Sequence, residues 1–223
     1  MVDLLAMAGL TALGGALAAL VDWGADVLPP ARSDAGPVPA APDAAPGSRG
    51  SLRLDRRLAV ILVGLLGGAA VGYRFGATVT GLWVLGWGAL FLLITVIDFE
   101  HRLVLNKVLL AASGVALAAS LLGLAVAVPL KGALLGAGAG LALFFFIGLV
   151  GRGAMGMGDV KLAGLIGLLS GFPAVFSALL LGVVFGGVAA LAAILMGKGR
   201  KSTIAYAPWL SLGALVTIVQ AAL

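Results

Sequence analysis

Residues 76–97 read GATVTGLWVLGWGALFLLITVI, and Asp98-Phe99-Glu100-His101-Arg102 follows at once. These 22 residues carry no charge, and about 20 apolar residues suffice for a helix to cross the hydrocarbon core of a bilayer. Apolar positions run continuously and do not alternate, so the stretch is not a barrel strand. With no water to satisfy backbone N–H and C=O groups inside lipid, a lipid-exposed span must be helical.

The same pattern recurs on both sides. Apolar runs lie at 4–21, 58–73, 108–128, 132–150, 174–196 and 203–223, with a shorter one at 154–169. Ser170-Gly171-Phe172-Pro173 divides the short run from its successor with residues that break helices. The expected fold is an all-α, polytopic membrane helix bundle of about eight segments. Composition agrees: 62% of the 223 residues are hydrophobic and 10% charged, against about a quarter charged in soluble chains.

The first run begins beside Asp3 with no basic residue ahead of it, which favours a retained helix over a cleaved signal peptide. Residues 22–57 shift to Pro, Ala, Asp and Ser, with Pro29, Pro30, Pro37, Pro39, Pro42 and Pro46, a composition expected to give an extended or disordered linker. The expected organisation is therefore an N-terminal helix over 1–21, a cytoplasmic linker over 22–57 and a membrane core over 58–223.

Basic residues orient the chain, because cytoplasmic loops are enriched in Lys and Arg. Arg32, Arg49, Arg53, Arg56, Arg57, Arg102, Lys107, Arg152, Lys161, Lys198, Arg200 and Lys201 fall in or beside alternate connections, 12 of the 14 basic residues. Arg74 and Lys131 fall on the other side. Both termini are then expected outside. The net charge of +5 is read as this orientation signal, and no nucleic-acid module is visible. Gly132, Gly136 and Gly140, and Gly182 with Gly186, form small-xxx-small rows that suit close helix packing.

After Arg57 only three acidic residues remain, Asp98, Glu100 and Asp159. Ionisable groups near membrane depth are costly and by default mark a functional site. Asp98 ends one span and Asp159 begins the short one, on the same expected face. Two carboxylates brought together in a low-dielectric site cannot both ionise easily, so the pair can hold one proton. One member then takes a proton from an attacking water while the other polarises a carbonyl. This chemistry requires neither a metal nor a cofactor. The chain has no cysteine, and His101 is its lone histidine, so no zinc set is readable.

Around Asp159 the sequence is Gly151-Arg152-Gly153-Ala154-Met155-Gly156-Met157-Gly158-Asp159-Val160-Lys161-Leu162. Its glycines permit close backbone approach and positive φ just before a helix. Asp159 also fits a helix cap. Glu100 is open to two readings, attraction of a basic peptide or an ordinary interfacial charge, and Lys161 to tuning Asp159 or the same.

Gly156-Met157-Gly158-Asp159-Val160-Lys161-Leu162 resembles the GxGD motif of the prepilin peptidases, the type IV leader peptidase family. The stretch Ile97-Asp98-Phe99-Glu100-His101-Arg102-Leu103 resembles the segment bearing that family's first catalytic aspartate, and Ala207-Pro208-Trp209-Leu210 is similar to its proline-containing last helix. The resemblance covers about residues 58–223. It implies Asp98 and Asp159 as the catalytic pair, Gly156 and Gly158 shaping the substrate site, and prepilin or pseudopilin leaders as substrates cleaved at the cytoplasmic face of a bacterial or archaeal inner membrane. Bifunctional members of the family carry a paired CxxC loop between the first two helices and also methylate the new N-terminus. The Pro-rich linker stands there instead, so methyltransferase activity is not expected. Leu105 precedes Asn106 where the family commonly has a proline, which departs from its loop pattern. The competing reading is a small proton- or cation-coupled transporter using Asp98 and Asp159, which would hold both carboxylates near the bilayer midplane.

Overall fold

The computed structural model describes residues 4–29, 48–151, 156–196 and 206–222. All regular structure among them is helical: α1 (Leu4–Val27), α2 (Ser48–Phe75), α3 (Val79–His101), α4 (Asn106–Leu121), α5 (Leu130–Val150), α6 (Met157–Ser170), α7 (Ala174–Leu195) and α8 (Ala207–Ala221). Five are long and apolar enough to cross a membrane: α1, residues Asp55–Phe75 of α2, α3, α5 and α7. The chain divides into two compact units, Met1–Leu93 and Ile94–Leu223.

In the first unit α1 and α2 pack as an antiparallel pair through backbone-to-backbone contact. A Cβ on Gly72 would lie 2.8 Å from the Met7 Cα, and one on Gly14 3.0 Å from the Gly68 Cα. Only hydrogen fits at such separations, which is how small residues let membrane helices gain dispersion contact. Both helices reach further into the 22–57 stretch than its composition implies, and the cause is charge pairing. Asp22, 1% exposed, accepts bonds from Arg56 Nε and Arg57 Nε, each at 2.9 Å. Arg56 also reaches Asp26 at 3.0 Å. These pairs let α1 continue through two acidic residues to Val27. Residues 30–47, with most of the prolines, lie outside the described residues.

The second unit is built around α6. Among the described residues α6 packs against α4, α5, α7 and α8, and Leu162, Ala163, Leu165 and Ile166 are at most 1% exposed. A helix apolar on all sides belongs inside a bundle, and its 14 residues span about 21 Å. The glycine rows supply the close approaches. Gly136 and Gly140 face the backbone of Gly167 and Ala163, while Gly182 would place a Cβ 2.9 Å from the Leu210 Cα. Gly171, at φ 71, separates α6 from α7 as the turn residues require.

α4 is shorter than its apolar run. It stops at Leu121 because Gly123 adopts φ 64, with Gly123 N–H donating to Ser120 O at 3.2 Å and Leu124 N–H to Ala119 O at 3.1 Å. That bond pair is a Schellman stop. A glycine inside an apolar run gave no compositional break to mark it.

Candidate active site

Four helix ends converge in the second unit: the last turn of α3 and the first turns of α4, α6 and α8. α3 ends just past Asp98. Arg102 N–H donates to Asp98 O at 2.9 Å, and Arg102 then turns the chain with φ 51. That left-handed conformation is uncommon for a side chain other than Gly, Asn or Asp. Residues 103–105 follow without helix, and α4 begins at Asn106.

Asp98 is 6% exposed. Its Oδ2 accepts the backbone N–H of Ala207 at 3.2 Å in a buried bond. Ala207 is the first residue of α8, so the carboxylate lies at a helix N-terminus, where free N–H groups and the helix dipole favour negative charge. The charge of Arg102 also acts on it.

Asp159 occupies the third position of α6, two residues after Met157. Its carboxylate faces the backbone N–H of Gly156, and the charge of Asp98 acts directly on it. Asp159 stands three residues after the N-cap Gly156, the position from which an acidic residue reaches back in a capping box. Asp159 therefore combines the helix-cap geometry with proximity to Asp98, and the two readings of this residue are compatible.

The glycines act through space. Gly156 has φ −70 and ψ 142, ordinary extended backbone, which corrects the expectation of positive φ there. A Cβ at Gly158 would lie 2.9 Å from the Val104 Cβ, so glycine lets the start of α6 touch the segment that follows Asp98. Residues 152–155 lie outside the described residues.

Glu100 is exposed on the last turn of α3, its Oε2 3.9 Å from His101 Nε2. Lys161 donates to Asn106 Oδ1 at 2.8 Å, tying α6 to the start of α4. Among the described residues no group of three or more His, Cys, Asp or Glu side chains is arranged to hold a metal ion.

Sequence reasoning missed Tyr206. It is half-buried and immediately precedes Ala207. Burial, and then the charge of Asp159, push its phenol above the usual tyrosine range. Its one sequence signal is a tyrosine, one of two in the chain, at the head of the Ala207-Pro208-Trp209-Leu210 stretch.

The model of the type IV leader peptidase family matches residues 85–191, which include Asp98, Gly156, Gly158 and Asp159. A prepilin leader peptidase/N-methyltransferase of Bacillus subtilis (strain 168) is 28% identical over 152 residues, covering 66% of this chain. The chain spans 59% of that relative's length. No solved structure matches. The apolar helices and this match make the chain a multi-pass membrane protein, and over residues 85–191 it is similar to the type IV leader peptidase family.

Proposed function

We propose that this chain is a membrane aspartic endopeptidase that removes the basic N-terminal leader of type IV prepilin-like proteins at the cytoplasmic face of the inner membrane. The observation that carries the reading is the pairing of Asp98 and Asp159. One is held by the N-terminus of α8 and the other lies in the first turn of α6, near enough for one charge to act on the other. Two such carboxylates share a proton. The ionised member draws a proton from water as its oxygen adds to the scissile carbonyl. The protonated member hydrogen-bonds the carbonyl oxygen, and the leaving amine then takes a proton as the C–N bond breaks.

The substrate follows from the surroundings. Gly156 leaves room for an extended peptide beside the carboxylates, Gly158 shapes the site by letting the start of α6 meet Val104, and exposed Glu100 offers a negative charge to a basic leader. Both carboxylates lie at helix ends, which supports cleavage at the membrane boundary over transport at mid-depth. On this reading residues 58–223 form the peptidase core in the lipid bilayer, with α1 a further helix and the stretch between α1 and α2 a cytoplasmic linker. With no cysteine in the chain, N-methylation is not part of the proposed activity. The test is co-expression with a candidate prepilin and intact-mass analysis of the product. Loss of the leader mass is expected, and an uncut prepilin across a panel of pilin-like substrates would refute the reading.

A further inference from the structure

The peptidase mechanism gives no task to the phenol of Tyr206, which stands at the convergence of helix ends. Three features locate it. Its backbone leads directly into the Ala207 N–H that holds Asp98 Oδ2 at 3.2 Å. α6, which carries Asp159, packs against α8. The ring lies against α7 where Gly186 lacks a side chain, since a Cβ there would be 3.3 Å from Tyr206 Cε2. The ring is thus seated against α7, on the residue that precedes the backbone donor of Asp98. Asp159 lies near enough for its charge to reach the phenol.

We propose that Tyr206 is a further catalytic residue whose O–H donates a hydrogen bond to the scissile carbonyl oxygen of the bound peptide. The inference rests on the peptidase reading above. When water adds to the carbonyl carbon, the C–O bond forms and the π pair moves onto the carbonyl oxygen. A donor aimed at that oxygen stabilises the developing charge more than the ground-state carbonyl. Tyr206 keeps its proton throughout, and the aspartate pair carries the proton exchange. Burial keeps the phenol protonated and so keeps it a donor. It also removes competing water, which strengthens the bond to the oxyanion.

The test is Tyr206→Phe assayed for prepilin cleavage in native membranes, with enzyme amount fixed by immunoblot. The ring and its seat at Gly186 are retained and one oxygen is lost. A fall in kcat of about 10²-fold with KM changed less than about threefold is expected, the signature of a contact made in the transition state. Wild-type kcat, or a rise in KM alone, would overturn the proposal. Two replacements at 206 separate donation from packing: p-aminophenylalanine keeps a para donor and should restore most of the rate, whereas p-fluorophenylalanine fills the volume without donating and should not. Equal rates for these two would also overturn it. A wild-type chain that cleaves no prepilin refutes the peptidase reading itself, whereas wild-type cleavage unaffected by Tyr206→Phe refutes only the role of Tyr206.

Discussion

Gly158→Ala adds one methyl group where α6 meets the segment after Asp98. Its Cβ would lie 2.9 Å from the Val104 Cβ and 3.3 Å from Val104 Cγ2. Carbon atoms rest about 3.5–4.0 Å apart, so relieving the closer contact takes a movement of about 0.6–1.1 Å. Val104 Cβ is fixed to the backbone, and no rotation of its side chain removes the clash. The movement must therefore come from the start of α6 or from residues 103–105, and either one shifts Asp159 relative to Asp98. A displacement of about 1 Å at a reacting group costs on the order of 10²-fold in rate. Stability should respond far less. Overpacking costs about 1–3 kcal/mol, but replacing a helical glycine by alanine returns up to about 1 kcal/mol. The assay is initial-rate cleavage of prepilin in membranes, with thermal unfolding of the extracted protein alongside. About a 10²-fold loss of rate is expected with a small change in melting, and Val104→Gly in the same chain should recover part of the rate. Wild-type cleavage by Gly158→Ala would refute the claim that this contact sets the spacing of the carboxylates.

Cysteine labelling from the two sides should place Asp98, Asp159 and the 22–57 linker on the cytoplasmic side and both termini opposite; an outward location for either aspartate would contradict the proposed substrate side. Lys198, in a stretch outside the described residues, should label with the aspartates. Cleavage with a methyl donor present should yield a mature pilin without one added methyl, and a methylated product would show that the missing cysteines were misread. Asp22→Ala removes a carboxylate that Arg56 and Arg57 share. It should lower stability by about 2 kcal/mol, below the cost of breaking a fully buried pair, because Arg57 is 62% exposed. An unchanged melting temperature would remove that cluster from the account of the first unit.

The sequence carried the helical architecture because continuous apolar runs leave the backbone no other way to satisfy itself in lipid. It also carried the separation of α6 from α7, since Gly171 and Pro173 are local signals. Helix ends were less legible. α4 stops at Gly123 through a left-handed turn that hydropathy does not register, and α1 runs past Asp22 because of arginines more than 30 residues away in sequence. Asp98 and Asp159 stood out by scarcity, but their surroundings did not. The Ala207 N–H that holds Asp98 belongs to a helix end 109 residues further along the chain, and backbone donors leave no mark in composition. Tyr206 was passed over for the same reason, because only folding brings it within reach of the charge of Asp159. The positive φ expected at the glycines of the motif was a conformational reading of a spatial requirement: Gly158 is small for the sake of Val104.

The central claim is that Asp98 and Asp159 act as one acid-base unit, and the most direct measurement is prepilin cleavage by Asp98→Asn and Asp159→Asn beside Glu100→Gln. Asparagine keeps the size and a hydrogen-bonding amide but cannot exchange a proton with the attacking water. Each aspartate variant should lose nearly the whole rate while accumulating in the membrane at wild-type level, since general acid-base catalysis alone contributes about 10²- to 10⁴-fold. Glu100→Gln should at most weaken binding of a basic leader, an attraction partly screened at the interface. Normal cleavage by Asp159→Asn, with activity lost in Glu100→Gln, would contradict the account and leave Asp159 as the capping residue of α6.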